Sequence, residues 1–193
     1  MSLSNLKHSL WIIGDFLKFV ELKIKGVYLI SIEKTEDSRG FFARTWDDQE
    51  FKNRNLESNF VQSSISFNKK KGTIRGMHFQ LSPYEETKIV SCIAGKVFDV
   101  IVDLRRNSPT FKQWESNLLD SINYDMLYIP KGIAHGFQTI DDNSKIYYKM
   151  SEYYRPEYYS GVRFDDPNLK INWPLEISNI SENDKNWNFN FLH

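Results

Sequence analysis

A single cysteine, Cys92, leaves no room for an internal disulfide framework, and its place in a strand-like run suits core packing in a reducing compartment. A surplus of one charge is missing too. Twenty-five basic residues balance 25 acidic ones, so no global field draws in nucleic acid or an anionic membrane, and an anion must be met by a local cluster. No run approaches the roughly 18 apolar residues of a membrane helix. The apolar stretch around Trp11 is broken by Asp15 and Lys18 and carries no small-residue cleavage site. These absences point to a cytoplasmic protein with no nucleic-acid or membrane partner. Histidine is scarce: of four, His8 and His193 stand at the termini, leaving two for a metal site that usually takes three protein ligands. Metal catalysis is disfavoured on that count.

What is present fits one domain. With 193 residues, 40% hydrophobic and 15% aromatic, the chain can bury a full core. Its organising stretch is residues 72–104, where one histidine, one arginine and one lysine lie among short apolar runs. KIVSCI and KVFDVIVDL are rich in β-branched and aromatic residues, and the Ala94-Gly95 step between them predicts a tight hairpin joining two antiparallel neighbours. The second run is apolar at nearly every position, so both its faces should be covered, as in a sandwich or barrel. Strict alternation would put Arg75 and His78 on opposite faces; a bulge at Gly76 would bring both to one pocket.

Leu6, Leu10, Ile13, Leu17 and Val20 recur at intervals of three and four, the pattern of an amphipathic helix over residues 6–20. Residues 1–21 are therefore read as an N-terminal extension with helical character, and 22–193 as the main domain. From Lys25 onward GVYLISIE, FFARTW, VQSSISF, LYIP, HGFQTI and KIYYKM alternate with turn signals, and a polar stretch from Asp47 to Asn55 has helical character. The spacing predicts an all-β sandwich, jelly roll or barrel with short peripheral helices. Beyond Pro156, Pro167 and Pro174 the chain should lie over the body with little regular strand.

PKGIAHGF at 130–137 resembles the second motif of cupins, whose turn delivers a histidine to the barrel mouth, whereas the strand that in metal cupins carries H-x-H reads M-H-F-Q and offers only His78. Further stretches stand in order along the chain: D-S-R-G-F-F at 37, T-I-R-G-M-H-F-Q at 73, T-K-I-V at 87, V-F-D-V-I-V-D-L-R at 97, S-P-T-F at 108, Y-I-P-K-G-I-A-H-G-F at 128, F-D-D-P at 164 and N-W-P at 172. Together they resemble the dTDP-4-dehydrorhamnose 3,5-epimerase family over roughly residues 22–185.

That resemblance implies a cupin jelly-roll homodimer, free of metal and organic cofactor, that inverts carbons 3 and 5 of a nucleotide-linked 4-keto-6-deoxy sugar. It nominates His78 as base, Asp184 of S-E-N-D as the carboxylate that orients it, Lys88 as the cation facing the developing enolate, and Tyr148 as the acid on the opposite face. Asp99 and Asp103 are competing carboxylates. Arg39, Arg75 and His135 match diphosphate and nucleotide contacts, Tyr154 an aromatic stacked on the base, and Gln62 a ligand-facing glutamine. Three positions depart from the family pattern: Ser64 for an asparagine, and Arg44 and Tyr159 for acidic residues, all on the nucleotide side. Two rivals are weighed: a single-site 3-epimerase or ketoisomerase on a related sugar nucleotide, and a non-catalytic carbohydrate-binding cupin.

Overall fold

The structure is a computed structural model that describes residues 16–187. Its strands in chain order are β1 Leu17–Glu21, β2 Tyr28–Ile32, β3 Lys34–Asp37, β4 Gly40–Ala43, β5 Gln62–Asn68, β6 Ile74–Gln80, β7 Lys88–Ala94, β8 Lys96–Asp103, β9 Trp114–Asp120, β10 Met126–Ile129, β11 Ile133–Thr139, β12 Ser144–Met150 and β13 Tyr159–Gly161. Two short helices complete it, α1 Asp48–Asn53 and α2 Glu182–Lys185. A six-stranded antiparallel sheet, β1-β2-β10-β7-β12-β5, packs against a five-stranded one, β13-β6-β11-β8-β9, while β3 and β4 form a separate hairpin. The expected all-β jelly-roll sandwich with small peripheral helices is what forms.

Alternation assigns the faces. Val97 and Ile101 of β8 point between the sheets, where they meet Val90, Cys92, Leu127, Ile146 and Phe137. Val100 and Val102 point outward and are covered by Val162, Leu169, Ile171 and Trp173. Both faces of β8 are thus dry, and each fully buried aliphatic side chain of this kind contributes about 1.5–3 kcal/mol. The polar C-terminal stretch does lie over the body, as its prolines suggested. Cys92 is a core residue, its thiol pushed up to about 11 by burial.

Two expectations change, and one strand was not expected. First, β7 and β8 are not a hairpin pair: β7 joins β10 and β12 in one sheet and β8 joins β9 and β11 in the other. Gly95 (φ +74°) makes the corner between sheets, packed against Ser144; a tight turn signal locates a corner without saying whether the chain folds back or crosses over. Second, the helical period over 6–20 ends in a strand. Residues 6–15 lie outside the described residues, but Leu17–Glu21 pairs with β2, Leu17 opposite Ile32. Leu17 and Phe19, at strand spacing, join the cluster around Phe51, and Val20 is left 46% exposed. The strand not expected is WESNLLD, which forms β9, an edge strand whose only buried residue is Leu119, too polar to announce itself.

The helical expectation at 47–55 holds. Asp47 caps α1 by accepting from the main-chain N–H groups of Gln49 and Glu50, and Phe51 packs against Trp46, Phe19 and Tyr128 over the outer face of the six-stranded sheet.

Candidate active site

At one end of the sandwich the two sheets separate around a cleft of about 270 Å³. The six-stranded sheet contributes Gln62, Ser64, Lys88 and Tyr148, and the five-stranded sheet Arg75, His78, His135 and Tyr159, with Glu86 and Tyr154 completing the lining used below.

The bulge places His78. On β11 His135 pairs with His78 and Phe137 with Arg75, so three steps on β6 span two on β11. Gly76 (φ +123°) absorbs the extra residue: a Cβ there would lie 2.5 Å from the Gly136 Cα, so the two glycines let the strands approach. Arg75 and His78 consequently both line the cleft. The displaced N–H of Gly76 donates to Asp184 Oδ2 at 3.3 Å, and His78 Nε2 lies 2.6 Å from Asp184 Oδ1. Asp184 sits in α2, whose cap, Ser181, accepts from the Asp184 N–H through its hydroxyl at 3.1 Å. Burial alone would raise this carboxyl, but the His78 and Gly76 bonds outweigh it and hold Asp184 below the usual carboxylate range. An ionised Asp184 must accept from Nε2–H, which leaves the other ring nitrogen of His78 to take a proton.

Across the cleft, Lys88 opens β7 opposite Met150. Its ammonium donates to Glu86 Oε1 at 2.6 Å and to the main-chain carbonyl of His78 at 3.4 Å, so it ties the two sheets together beside His78. Tyr148 is half-buried on β12, its ring edge-on to His135 with 6.0 Å between centroids. Burial first, and then the charge of Asp99, raise its phenol well above the ordinary tyrosine range, so it stays protonated. Tyr147 faces the opposite side of the sheet, beside Ile89 and Met126.

His135 has its own carboxylate: Nε2 lies 2.8 Å from Asp99 Oδ2, with both residues buried. Burial raises the Asp99 carboxyl against the pull of His135, and Asp99 Oδ1 has no partner. Asp103 is committed elsewhere; although burial would raise it, Arg105, Ser108 and Thr110 hold it at about 2. Of the three carboxylates weighed from sequence, only Asp184 reaches His78.

Among the remaining lining residues, Gln62 accepts from the Tyr154 main-chain N–H at 2.7 Å and Arg75 donates to Asn68 Oδ1 at 2.7 Å. Tyr159 packs its ring on His78 at 5.1 Å and against Tyr154 at 5.4 Å. Arg39 and Arg44 do not line the cleft of their own chain. Arg39 is at the tip of the β3–β4 hairpin, paired with Asp37, and Arg44 is paired with Asp47 and laid over Phe16. Glu86, Asn68 and Trp187 were not singled out from sequence; an acidic residue before a strand reads as surface, and only the fold brings Trp187 to 6.4 Å from His78. Among the described residues no three His, Cys, Asp or Glu side chains gather as a metal-binding group.

Residues 21–190 match the family model described as dTDP-4-dehydrorhamnose 3,5-epimerase. The chain belongs to this family. It is 40% identical over 173 residues to the dTDP-4-dehydrorhamnose 3,5-epimerase of Methanothermobacter thermautotrophicus, covering 88% of this chain and 92% of that one. The crystal structure of the Bacillus anthracis dTDP-4-dehydrorhamnose 3,5-epimerase with TDP and PPi bound superposes with a TM-score of 0.87 at 37% identity, covering 89% of this chain and 98% of that one. A 3'-monoepimerase from Streptomyces bikiniensis in complex with dTDP-quinovose is similar with a TM-score of 0.81 at 28% identity over 86% of this chain and 85% of its own. The protein is accordingly an isomerase-class enzyme of the sugar-nucleotide epimerase type.

Proposed function

We propose that this epimerase inverts carbon 3, carbon 5 or both in a nucleotide-linked 4-keto-6-deoxyhexose of the rhamnose type. The observation that carries this reading is one base and one phenol on facing sheets with a lysine beside them. His78 takes the proton from a carbon next to the ketone, and the electrons of that C–H bond form the enolate, whose oxygen meets Lys88. Asp184 stabilises the imidazolium so formed. Tyr148 returns a proton to the opposite face of the same carbon; an enolate carbon is basic enough to take it even from a phenol held protonated by burial. Side chains carry every step, without a cofactor. A carbohydrate-binding role alone gives no reason for a histidine on an ionised carboxylate beside a cation.

The nucleotide diphosphate would lie toward Arg75, His135, Gln62 and Tyr154. Arg39 joins it only from a second copy, and this supports a homodimer. The hairpin that bears Arg39 exposes 45% of Phe41 and 70% of Phe42, and β5 exposes 62% of Ile65, apolar surface that a second copy would cover. The reading places the enzyme in the cytoplasm; no helix among the described residues is long and apolar enough to cross a membrane. With Tyr159 where an acidic residue is usual and Ser64 where an asparagine is usual, base readout is weakened while phosphate contacts and stacking persist. Selection of thymidine diphosphate over uridine diphosphate should therefore be modest, and a hundred-fold preference by calorimetry would overturn that part.

The deciding experiment is incubation with 4-keto-6-deoxyglucose nucleotides in deuterium oxide, followed by mass spectrometry. Two incorporated deuterons mean two inverted centres, one means a single-site enzyme, and none refutes the proposal.

A further inference from the structure

Glu86 lines the cleft, yet the reaction scheme gives it no task. It stands two residues before Lys88, and the intervening Thr87 is turned away: its N–H donates to Ser151 Oγ at 2.8 Å and its carbonyl accepts from the Ser151 N–H at 3.0 Å, pinning the segment to the end of β12. Strand alternation then sends Glu86 and Lys88 to the same side. Their charged groups meet at 2.6 Å, with side chains 8% and 11% exposed respectively, so this is a desolvated pair rather than a surface one.

A lysine ammonium has three N–H bonds at tetrahedral angles. One is taken by Glu86 Oε1 and a second points to the His78 carbonyl at 3.4 Å. With two directions fixed, the third is fixed as well. We propose that Glu86 is a positioning residue: its carboxylate, together with the His78 main-chain carbonyl, locks the Lys88 ammonium so that one N–H remains to meet the oxygen on carbon 4. The inference rests on the reading of Lys88 as the group facing the enolate. The glutamate has an electrostatic drawback, because its negative charge partly offsets the cation that the enolate needs. What it supplies is orientation before substrate arrives, on a side chain with four rotatable bonds that would otherwise sample many positions.

The test is steady-state epimerisation, with deuterium exchange in parallel, for Glu86→Ala, Glu86→Gln, Lys88→Met and the Glu86→Ala/Lys88→Met double variant. Glu86→Ala should lower kcat by about 10- to 100-fold, the scale of a misplaced catalytic group, with KM changed by less than about threefold. Glu86→Gln, which keeps an acceptor oxygen, should recover part of the loss. In the Lys88→Met background the Glu86→Ala change should have no further effect, because there is no ammonium left to hold. Should Glu86→Ala fail to fold, the Glu86→Gln single variant and its own cycle with Lys88→Met decide the matter. Wild-type kcat in Glu86→Ala, or a loss that multiplies with that of Lys88→Met, overturns the positioning role while leaving Lys88 in place. Wild-type kcat in Lys88→Met overturns the role of the lysine and this proposal with it.

Discussion

Two histidine–carboxylate pairs face each other across neighbouring strands, His78 with Asp184 and His135 with Asp99, and the histidines are register partners. In composition they are the same device. They differ in what surrounds the carboxylate. Asp184 accepts from His78 on one oxygen and from the Gly76 N–H on the other, and is held ionised while the His78 side chain stays 24% exposed to the cleft. Asp99 is wholly buried, leaves Oδ1 unpartnered, and has its carboxyl raised. A histidine on an ionised carboxylate can accept a proton and have the resulting charge stabilised; a histidine on a desolvated carboxyl is held in place. Environment rather than pairing makes a base.

Substitution at the histidines tests this most strongly. His78→Asn should lower deuterium incorporation by about a hundred-fold or more, with ligand affinity little changed. His135→Asn should leave exchange far less affected but lower stability by up to about 3–5 kcal/mol, because Asp99 loses its partner in the interior. Equal loss of exchange in the two variants, with unchanged unfolding midpoints, would erase the distinction. Next in size are the carboxylates. Asp184→Asn should slow exchange by about a hundred-fold, as an amide cannot stabilise the imidazolium, whereas Asp99→Asn should change exchange by less than about tenfold; a larger loss in Asp99→Asn would make the buried pair the working one.

Tyr148, beside His135, separates abstraction from delivery. Tyr148→Phe should retain proton washout at close to the wild-type rate while inversion slows by about tenfold or more, read by comparing isotope exchange with product formation. If both fall by the same factor, Tyr148 is not a distinct donor. The smallest effect is the pH dependence of stability. The lowered Asp184 carboxyl stabilises the fold above the unfolded value of about 3.9, and that stabilisation is lost as pH falls through its folded value. The unfolding free energy of wild type over Asp184→Asn should therefore shrink as pH is taken below about 4. For the raised Asp99 the sign reverses, and the difference between wild type and Asp99→Asn should shrink as pH rises. Parallel curves for the two variants would deny that the environments differ.

Much of this site could be read from the sequence, because chemistry and pattern coincide there. Gly76 between Arg75 and His78 announced the bulge, and the unbroken apolar run of β8 announced two covered faces. S-E-N-D placed Asp184 through family resemblance and is also a capped turn in its own right. What stayed hidden depends on the third dimension. Glu86 and Glu85 are equivalent letters until alternation around Thr87 turns one of them inward. The Ala94-Gly95 corner specifies a reversal but not the sheet into which the chain turns, and Leu17 fits a helical period until β2 offers it an edge. Arg39 and Arg44 match motif positions, yet the hairpin geometry carries them away from the cleft of their own chain.

The separation of His78 from Asp184 by 106 residues has a consequence for synthesis. During translation His78 is made long before Asp184, and β7 through β13 are all made in the interval. Every strand is thus on the chain before Asp184 is, and on the reading proposed above His78 becomes a competent base only when α2 settles beside Gly76. A chain clipped before Ser181 keeps every strand but loses Asp184, so on this reading its base is weakened, and turnover reports on docking of that last turn rather than on the presence of the strands.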